Sequence, residues 1–189
     1  LIGIEAEDPA ALKDANKKLN LKLGVESYRQ AFRTIHRQGI VVLGAFIFGM
    51  DSDSPASLEA RTRYILRSSV DVTQASVMTP LPGTTLYKRL VSEKRILCRR
   101  FPHDWQHFHF SDVVFKPMKM TPQNLAECTN RSYQRICDMN TIRAKFIRTL
   151  WNTRSLRSAV WAWNSNLNYR SVGLEKPSNY LYQQTEETT

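Results

Sequence analysis

The chain has 189 residues, of which 42% are hydrophobic and 23% charged, with a formal net charge of +10 and only three cysteines. That length suits one domain of about 100 to 200 residues, and three scattered cysteines exclude a disulfide framework and point to a reducing compartment. No run approaches the roughly 18 apolar residues of a membrane span, so the expected compartment is cytoplasmic, with peripheral membrane association left open.

Leu1 to Glu5 reads as the end of a strand, and Val25 to Gln38 as a helix closed by Gly39. From Ile40 to Phe48 the chain is continuously apolar and rich in β-branched and aromatic residues, which predicts a strand buried on both faces. Ser54-Pro55 supplies an N-cap and a first-turn proline for a helix from Ala56 to Ser69, which carries Leu58, Tyr64 and Ile65 at helical spacing. Val70 to Met78 is the next strand, broken by Pro80, Pro82 and Gly83, and Thr84 caps a helix from Leu86 to Lys94. Alternating short strands and amphipathic helices predict an α/β fold with a parallel sheet, either barrel or doubly wound. In both, ligands bind at the carboxyl ends of the strands, here Gly3 to Glu5, Gly49 to Asp53 and Thr79 to Thr84.

Beyond the strands, Phe101 to Phe110 alternates aromatic residues with His103, His107 and His109. Proline and this alternation predict an irregular segment, which favours structural or substrate-lining histidines over metal ligands set with Asp104. His36 falls at a helix end, where it favours the dipole. Thr121-Pro122 opens a helix whose stripe runs through Leu125, Cys128, Ser132, Ile136, Met139, Ile142, Phe146 and Leu150. The positive charge concentrates here, in Arg131, Arg135, Arg143, Lys145, Arg148, Arg154 and Arg157. The favoured reading packs the stripe on the sheet, solvates the charges and buries Trp151, Trp161 and Trp163 in a small core; the alternative lays the basic face and tryptophans on a membrane surface. Nucleic acid is disfavoured, because no recognised binding motif accompanies the charge. The last twenty residues are polar and predict a disordered tail. The expected organisation is therefore 1–120 sheet and helices, 121–170 basic helical extension, and 171–189 tail.

Taken in order, Gly3-Ile4-Glu5, Asn16-Lys17-Lys18-Leu19-Asn20, a helix ending His36-Arg37-Gln38-Gly39-Ile40, Phe46-Ile47-Phe48-Gly49 before an acidic turn, and Thr79-Pro80-Leu81-Pro82-Gly83-Thr84 followed by Leu86-Tyr87 resemble the second half of the radical S-adenosylmethionine (radical SAM) barrel. The likeness is to its cobalamin-associated branch of methyltransferases and cyclases. Trp105 through Val114 to Pro122 is similar to that family's exit segment, and the resemblance covers Leu1 to about Glu127. It implies a partial TIM-like (β/α) barrel holding S-adenosylmethionine beside a four-iron four-sulfur cluster, whose electron converts the cofactor to a 5′-deoxyadenosyl radical. By the same resemblance Glu5 approaches the methionine or ribose part. Phe46, Ile47, Phe48 and Gly49 lie against the adenine, Val77 and Met78 complete that pocket through their backbone, and Asp53 stands where the family often has a glutamate. An electron donor such as flavodoxin or ferredoxin, and a small-molecule or lipid-like substrate, are implied as partners.

The chain departs from that family in one respect. The Cys-x-x-x-Cys-x-x-Cys cluster loop is missing, and Cys98, Cys128 and Cys137 lie at intervals unlike any compact iron-sulfur spacing. Because a full barrel takes about 250 residues and Leu1 falls within a strand, the expectation is a fragment, with the cluster loop and a cobalamin domain upstream. Two readings compete: a basic, non-catalytic α/β binding module, and a barrel using acid/base chemistry through Glu5, Asp51 and Asp53. Asp51 and Asp53 lack a third oxygen ligand at loop spacing, which favours a helix-entry turn over a Ca²⁺ or Mg²⁺ site.

Overall fold

The computed structural model describes residues 1–175 together with Ser178 and Asn179. Three parallel strands, β1 (Ile2–Glu5), β2 (Leu43–Phe48) and β3 (Val72–Val77), form a sheet in the order β1-β2-β3. Parallel neighbours need crossovers. Helices α1 (Pro9–Asp14), α2 (Lys18–Leu23) and α3 (Ser27–Arg37) connect β1 to β2, and α4 (Pro55–Arg67) connects β2 to β3. The α/β fold with a parallel sheet is therefore as the sequence implied.

Strand β2 starts three residues later than its apolar run, and it is buried on one face rather than two. Gly44, Phe46 and Phe48 are buried, whereas Leu43, Ala45 and Ile47 are partly exposed. The covered face joins Phe32 of α3 and Leu58 and Ile65 of α4 in the main core. Helix α4 begins as its sequence dictates: Ser54 Oγ accepts from the Ser57 N–H at 3.2 Å, and Ser57 Oγ accepts from the Ser54 N–H at 2.8 Å.

Helix α5 (Thr85–Ser92) is capped by Thr84, and a short 3₁₀ turn covers His103–His107. The expected continuous helix beyond Pro122 is two helices, α6 (Pro122–Ile136) and α7 (Met139–Thr153). Asp138 ends the first stretch: its extended backbone and a carboxylate that accepts from the Asn140 N–H at 3.1 Å start a new helix. Helix α8 (Leu156–Glu175) extends past residue 170 into the segment expected to be tail. Ser178 exchanges hydrogen bonds with the Asn130 amide, and the Asn179 carbonyl accepts from the Val113 N–H. The rest of that segment lies outside the described residues. No helix among the described residues is long and apolar enough to cross a membrane.

At the amino end of the sheet, α7 and α8 dock through buried polar groups. Asp71 lies with one carboxylate oxygen 2.8 Å from His36 Nε2 and 2.6 Å from the Val42 N–H, while the other accepts from the Thr149 hydroxyl at 2.7 Å. Lys145 is 2% exposed and donates to Thr73 Oγ1 at 2.9 Å, and Asn166 of α8 donates to the Asp71 carbonyl. Lys145 is thus buried rather than solvated. Trp151 and Trp161 differ from expectation in the opposite sense, at 84% and 49% exposed. Of Trp151, Trp161 and Trp163, only Trp163 has an aromatic partner among the described residues, Phe146 on α7.

Candidate functional site

A cavity of about 600 Å³ opens at the carboxyl ends of β2 and β3. Ile47, from the less covered face of the sheet, forms its floor with Met50, Met78 and Leu86. The turn between α1 and α2 adds Asp14, Asn16 and Lys17, and Asp51 and Arg89 close the side. The volume falls in the usual range for a small-molecule site, and the mixture of apolar wall and few polar groups is typical of one.

The segment Asn16 to Asn20 owes its place to the end of β1. The Asn20 amide donates to the Gly3 and Ile4 carbonyls at 3.0 and 3.3 Å, and Lys17 Nζ lies 2.6 Å from Glu5 Oε1. Glu5 has φ +66°, and its carboxylate folds across Gly3 so closely that a Cβ there would come within 2.6 Å of Oε1. A side chain at position 3 would have to displace the carboxylate end of Glu5.

The loop after β2 is held by three separate carboxylates. Asp53, 1% exposed, accepts from the Gly49 and Met50 N–H groups at 2.9 Å and pairs with both terminal nitrogens of Arg61 at 2.7 and 2.8 Å. Arg61, fully buried on α4, also donates to the Ile47 carbonyl at 2.7 Å and to Glu7 at 3.2 Å. Burial alone would lower the Arg61 pKa, but Asp53 and Glu7 raise it above the ordinary guanidinium value. Burial raises the Glu7 pKa, and the nearby Arg61 only partly offsets this. Asp51 turns the other way, 2.6 Å from both Arg89 and Arg95; burial opposes its charge, yet the two arginines hold its pKa below the ordinary carboxylate value. Asp14 completes the set by accepting from the Ser52 N–H. Asp51 and Asp53 therefore serve different arginines, and the turn is a braced helix entry.

Of the residues singled out from the sequence, Ile47 and Met78 line the cavity, and Glu5 reaches its rim through Lys17. Phe46, Phe48 and Val77 turn their side chains into the core, Phe46 against Tyr64 and Phe48 beneath Arg61. Gly49, at φ +96°, faces Leu125 and Phe115: a Cβ would meet Leu125 at 2.6 Å, so close packing with α6 requires this glycine. Asp53 is sealed behind Arg61. Arg61 and Lys17 are the contributors that the sequence reading missed. Arg61 had a signal, since it falls in phase with buried Leu58, Thr62 and Ile65 on the covered face of α4.

The cavity fits S-adenosylmethionine in size, with an apolar wall for a purine and Lys17, Asp14 and Asn16 for polar ends. The iron-sulfur cluster does not fit this chain. Cys98, Cys128 and Cys137 are each buried, and no cluster of three or more metal-ligating side chains exists among the described residues. Burial pushes the Cys98 and Cys137 thiols up to about 12 and about 11, away from the thiolate form a metal needs. His107 and His109 instead share one Asp112 oxygen, at 2.9 and 3.2 Å.

No family model matches the chain. It is 31% identical over 126 residues to the bacteriochlorophyllide d C-12(1)-methyltransferase of Chlorobaculum tepidum, covering 67% of this chain and 26% of that protein. It is 30% identical over 133 residues to the hopanoid C-2 methylase of Rhodopseudomonas palustris, covering 70% of this chain and 24% of that protein. The anaerobic magnesium-protoporphyrin IX monomethyl ester cyclase of Cereibacter sphaeroides is 25% identical over 134 residues, with 71% and 20% covered. The chain thus spans between a fifth and about a quarter of the length of these relatives. They are two methyl-transferring enzymes and a cyclase, and the likeness supports the radical SAM superfamily at that coarse level.

Proposed function

We propose that this chain is the later part of a radical SAM barrel, and that the cavity at the carboxyl ends of β2 and β3 takes part of the S-adenosylmethionine molecule. The observation that carries this reading is a cavity of small-molecule size at the carboxyl ends of parallel strands, in a chain 31% and 30% identical to two methyl-transferring enzymes over about two thirds of its length. The sequential parallel order β1-β2-β3 suits a partial TIM-like barrel.

In this reading Ile47, Met78 and Leu86 form the wall against the adenine, and Lys17, oriented by Glu5, faces a carboxylate or ribose hydroxyl. Asp53, Arg61 and Gly49 position the β2 loop without touching the cofactor. Phe46, Phe48 and Val77 contribute backbone only. Bound S-adenosylmethionine would supply the radical chemistry, with the four-iron four-sulfur cluster that would reduce it held by residues outside this chain. The reaction is methyl transfer to an unactivated carbon, with cobalamin as the methyl carrier and a flavodoxin or ferredoxin as the electron donor. The names of the relatives suggest a large apolar ring-bearing substrate.

The test is anaerobic, with the complete protein that carries this chain, S-adenosylmethionine and dithionite. Formation of 5′-deoxyadenosine is expected, and Ile47→Arg, which fills the cavity, should weaken S-adenosylmethionine binding by at least about tenfold, or about 1.4 kcal/mol. No 5′-deoxyadenosine from cluster-loaded protein would replace this reading with the non-catalytic binding module.

A further inference from the structure

A second cavity, of about 570 Å³, lies at the amino end of the sheet between α3 and the carboxyl end of α7. Arg29, Arg33 and Arg37 face it from α3, Arg148 from α7 and Arg154 from just past the end of α7. No carboxylate among the described residues lines it. Arg29, Arg33 and Arg37 are stacked at intervals of four residues, a spacing at which like charges destabilise a helix. None of these three, nor Arg154, has an ion-pair partner among the described residues. Asp71, which pairs with the lining residue His36, is fully buried and already accepts from Val42 and Thr149.

Arg148 gives the second observation. It donates to the Val70 carbonyl at 3.2 Å, yet its Nε is buried with no hydrogen-bond partner. A buried donor left unpaired is costly, and here it lines a cavity already lacking negative charge. Burial lowers the Arg148 pKa, and Asp71 only partly offsets this.

We propose that this five-arginine cavity binds a phosphate-bearing anion. Planar guanidinium forks match phosphate oxygens in pairs, and the anion would relieve the α3 repulsion. Trp151 lines the same cavity with 84% of its surface exposed, a residue type suited to the boundary of a lipid headgroup. The site lies at the opposite end of the sheet from the cofactor cavity and stands independently of that reading.

The test uses the full chain with inorganic pyrophosphate and, separately, with vesicles of phosphatidylcholine with and without phosphatidic acid, read by tryptophan fluorescence and by flotation. The triple variant Arg33→Gln, Arg37→Gln, Arg154→Gln should lose on the order of a hundredfold in affinity, at roughly 1 kcal/mol per arginine. A charge-matched control, Lys13→Gln, Lys18→Gln, Lys22→Gln, should bind as the parent does. Thermal unfolding of the triple variant should show it folded. Pyrophosphate binding that competes with vesicles identifies a free phosphate compound as a ligand, and binding to phosphatidic acid vesicles alone identifies a lipid headgroup. Either result supports the site. Failure of both probes to bind, or an equal loss in the lysine control, overturns it.

Discussion

The two ends of the sheet each bury a carboxylate, and they satisfy it in opposite ways. Asp53, just past β2, uses two N–H groups of its own loop and Arg61, eight residues on. Asp71, just before β3, uses His36, 35 residues back, and Thr149, 78 residues on. The first arrangement is local, so the loop beside the cavity at the carboxyl ends of the strands takes its shape from one βα unit. The second is long-range, so it ties the α7–α8 hairpin to the sheet without shaping a single loop. A brace of the first kind preorganises a site; one of the second kind holds separate layers together.

Breaking the local brace should cost most. Arg61→Leu removes one partner of a buried pair and leaves Asp53 charged, buried and facing only N–H groups. The expected loss is about 3–5 kcal/mol, as for other broken buried pairs, measured by denaturant unfolding. The double variant Arg61→Leu, Asp53→Leu should recover part of that loss, because no charge is then stranded. Equal stability of the single and double variants would show that Asp53 does not depend on Arg61.

The long-range brace carries its own titration. Burial lowers the Lys145 pKa from 10.5 to about 8, with Arg148 adding to the effect and Cys137 and Asp71 opposing it. Between about pH 8 and pH 10.5 the unfolded chain binds a proton at this residue that the folded chain has released, so this group makes stability rise with pH across that window. At about 1.4 kcal/mol per unit, the rise is on the order of 3 kcal/mol. Raised tyrosine and thiol pKa values, such as about 12 for Tyr64 and for Cys98, act in the opposite direction in the same alkaline range. The measurement is therefore the difference between the parent chain and Lys145→Met. That difference should be flat below about pH 8 and grow in favour of the parent above it; parallel curves would show that Lys145 titrates normally.

Thr149→Val removes the hydroxyl from Asp71 while keeping its shape. One carboxylate oxygen then loses its only hydroxyl donor, which predicts a loss of about 1–3 kcal/mol. Hydrogen exchange should quicken along α7 and α8 and stay unchanged in the β2 loop. Quickening in both places would mean that the two braces are one cooperative unit.

What the sequence made legible follows the same division between local and distant. Ser54, Thr84 and Thr121 were readable as caps because each bonds a backbone N–H three residues on. The strand ends were readable because glycine, proline and acidic residues interrupt apolar runs. The direction of side chains in β2 was not, since an unbroken apolar run from Ile40 to Phe48 carries no alternation to say that Ile47 faces the cavity and Phe46 and Phe48 the core. In sequence Lys145 looks like one of a solvated set, because its acceptor, Thr73, is 72 residues away. The chemistry of Trp151 suits a core, yet it lies in the exposed stripe Ile147, Leu150 and Trp151 at the end of α7. The break at Asp138 was hidden by a stripe that continues in phase on both sides of it.

The smallest expected effect marks where the comparison stops applying. Arg135 of α6 meets both oxygens of Glu59 on α4, at 2.7 and 2.8 Å. One nitrogen, Nη1, makes both contacts, so the pair bridges two helices without the two-nitrogen fork by which Arg61 grips Asp53. Arg135 lowers the Glu59 pKa, with the remaining desolvation opposing it, but both side chains are close to half exposed. Water already solvates each charge alone, and salt screens what attraction remains. Arg135→Ala should therefore cost less than about 1 kcal/mol, and the loss should vanish as salt is raised to about 1 M, where the Debye length falls to about 3 Å. A larger, salt-independent loss would mean that the aliphatic stem of Arg135 packs between the helices, making this contact a further part of the core rather than an ion pair.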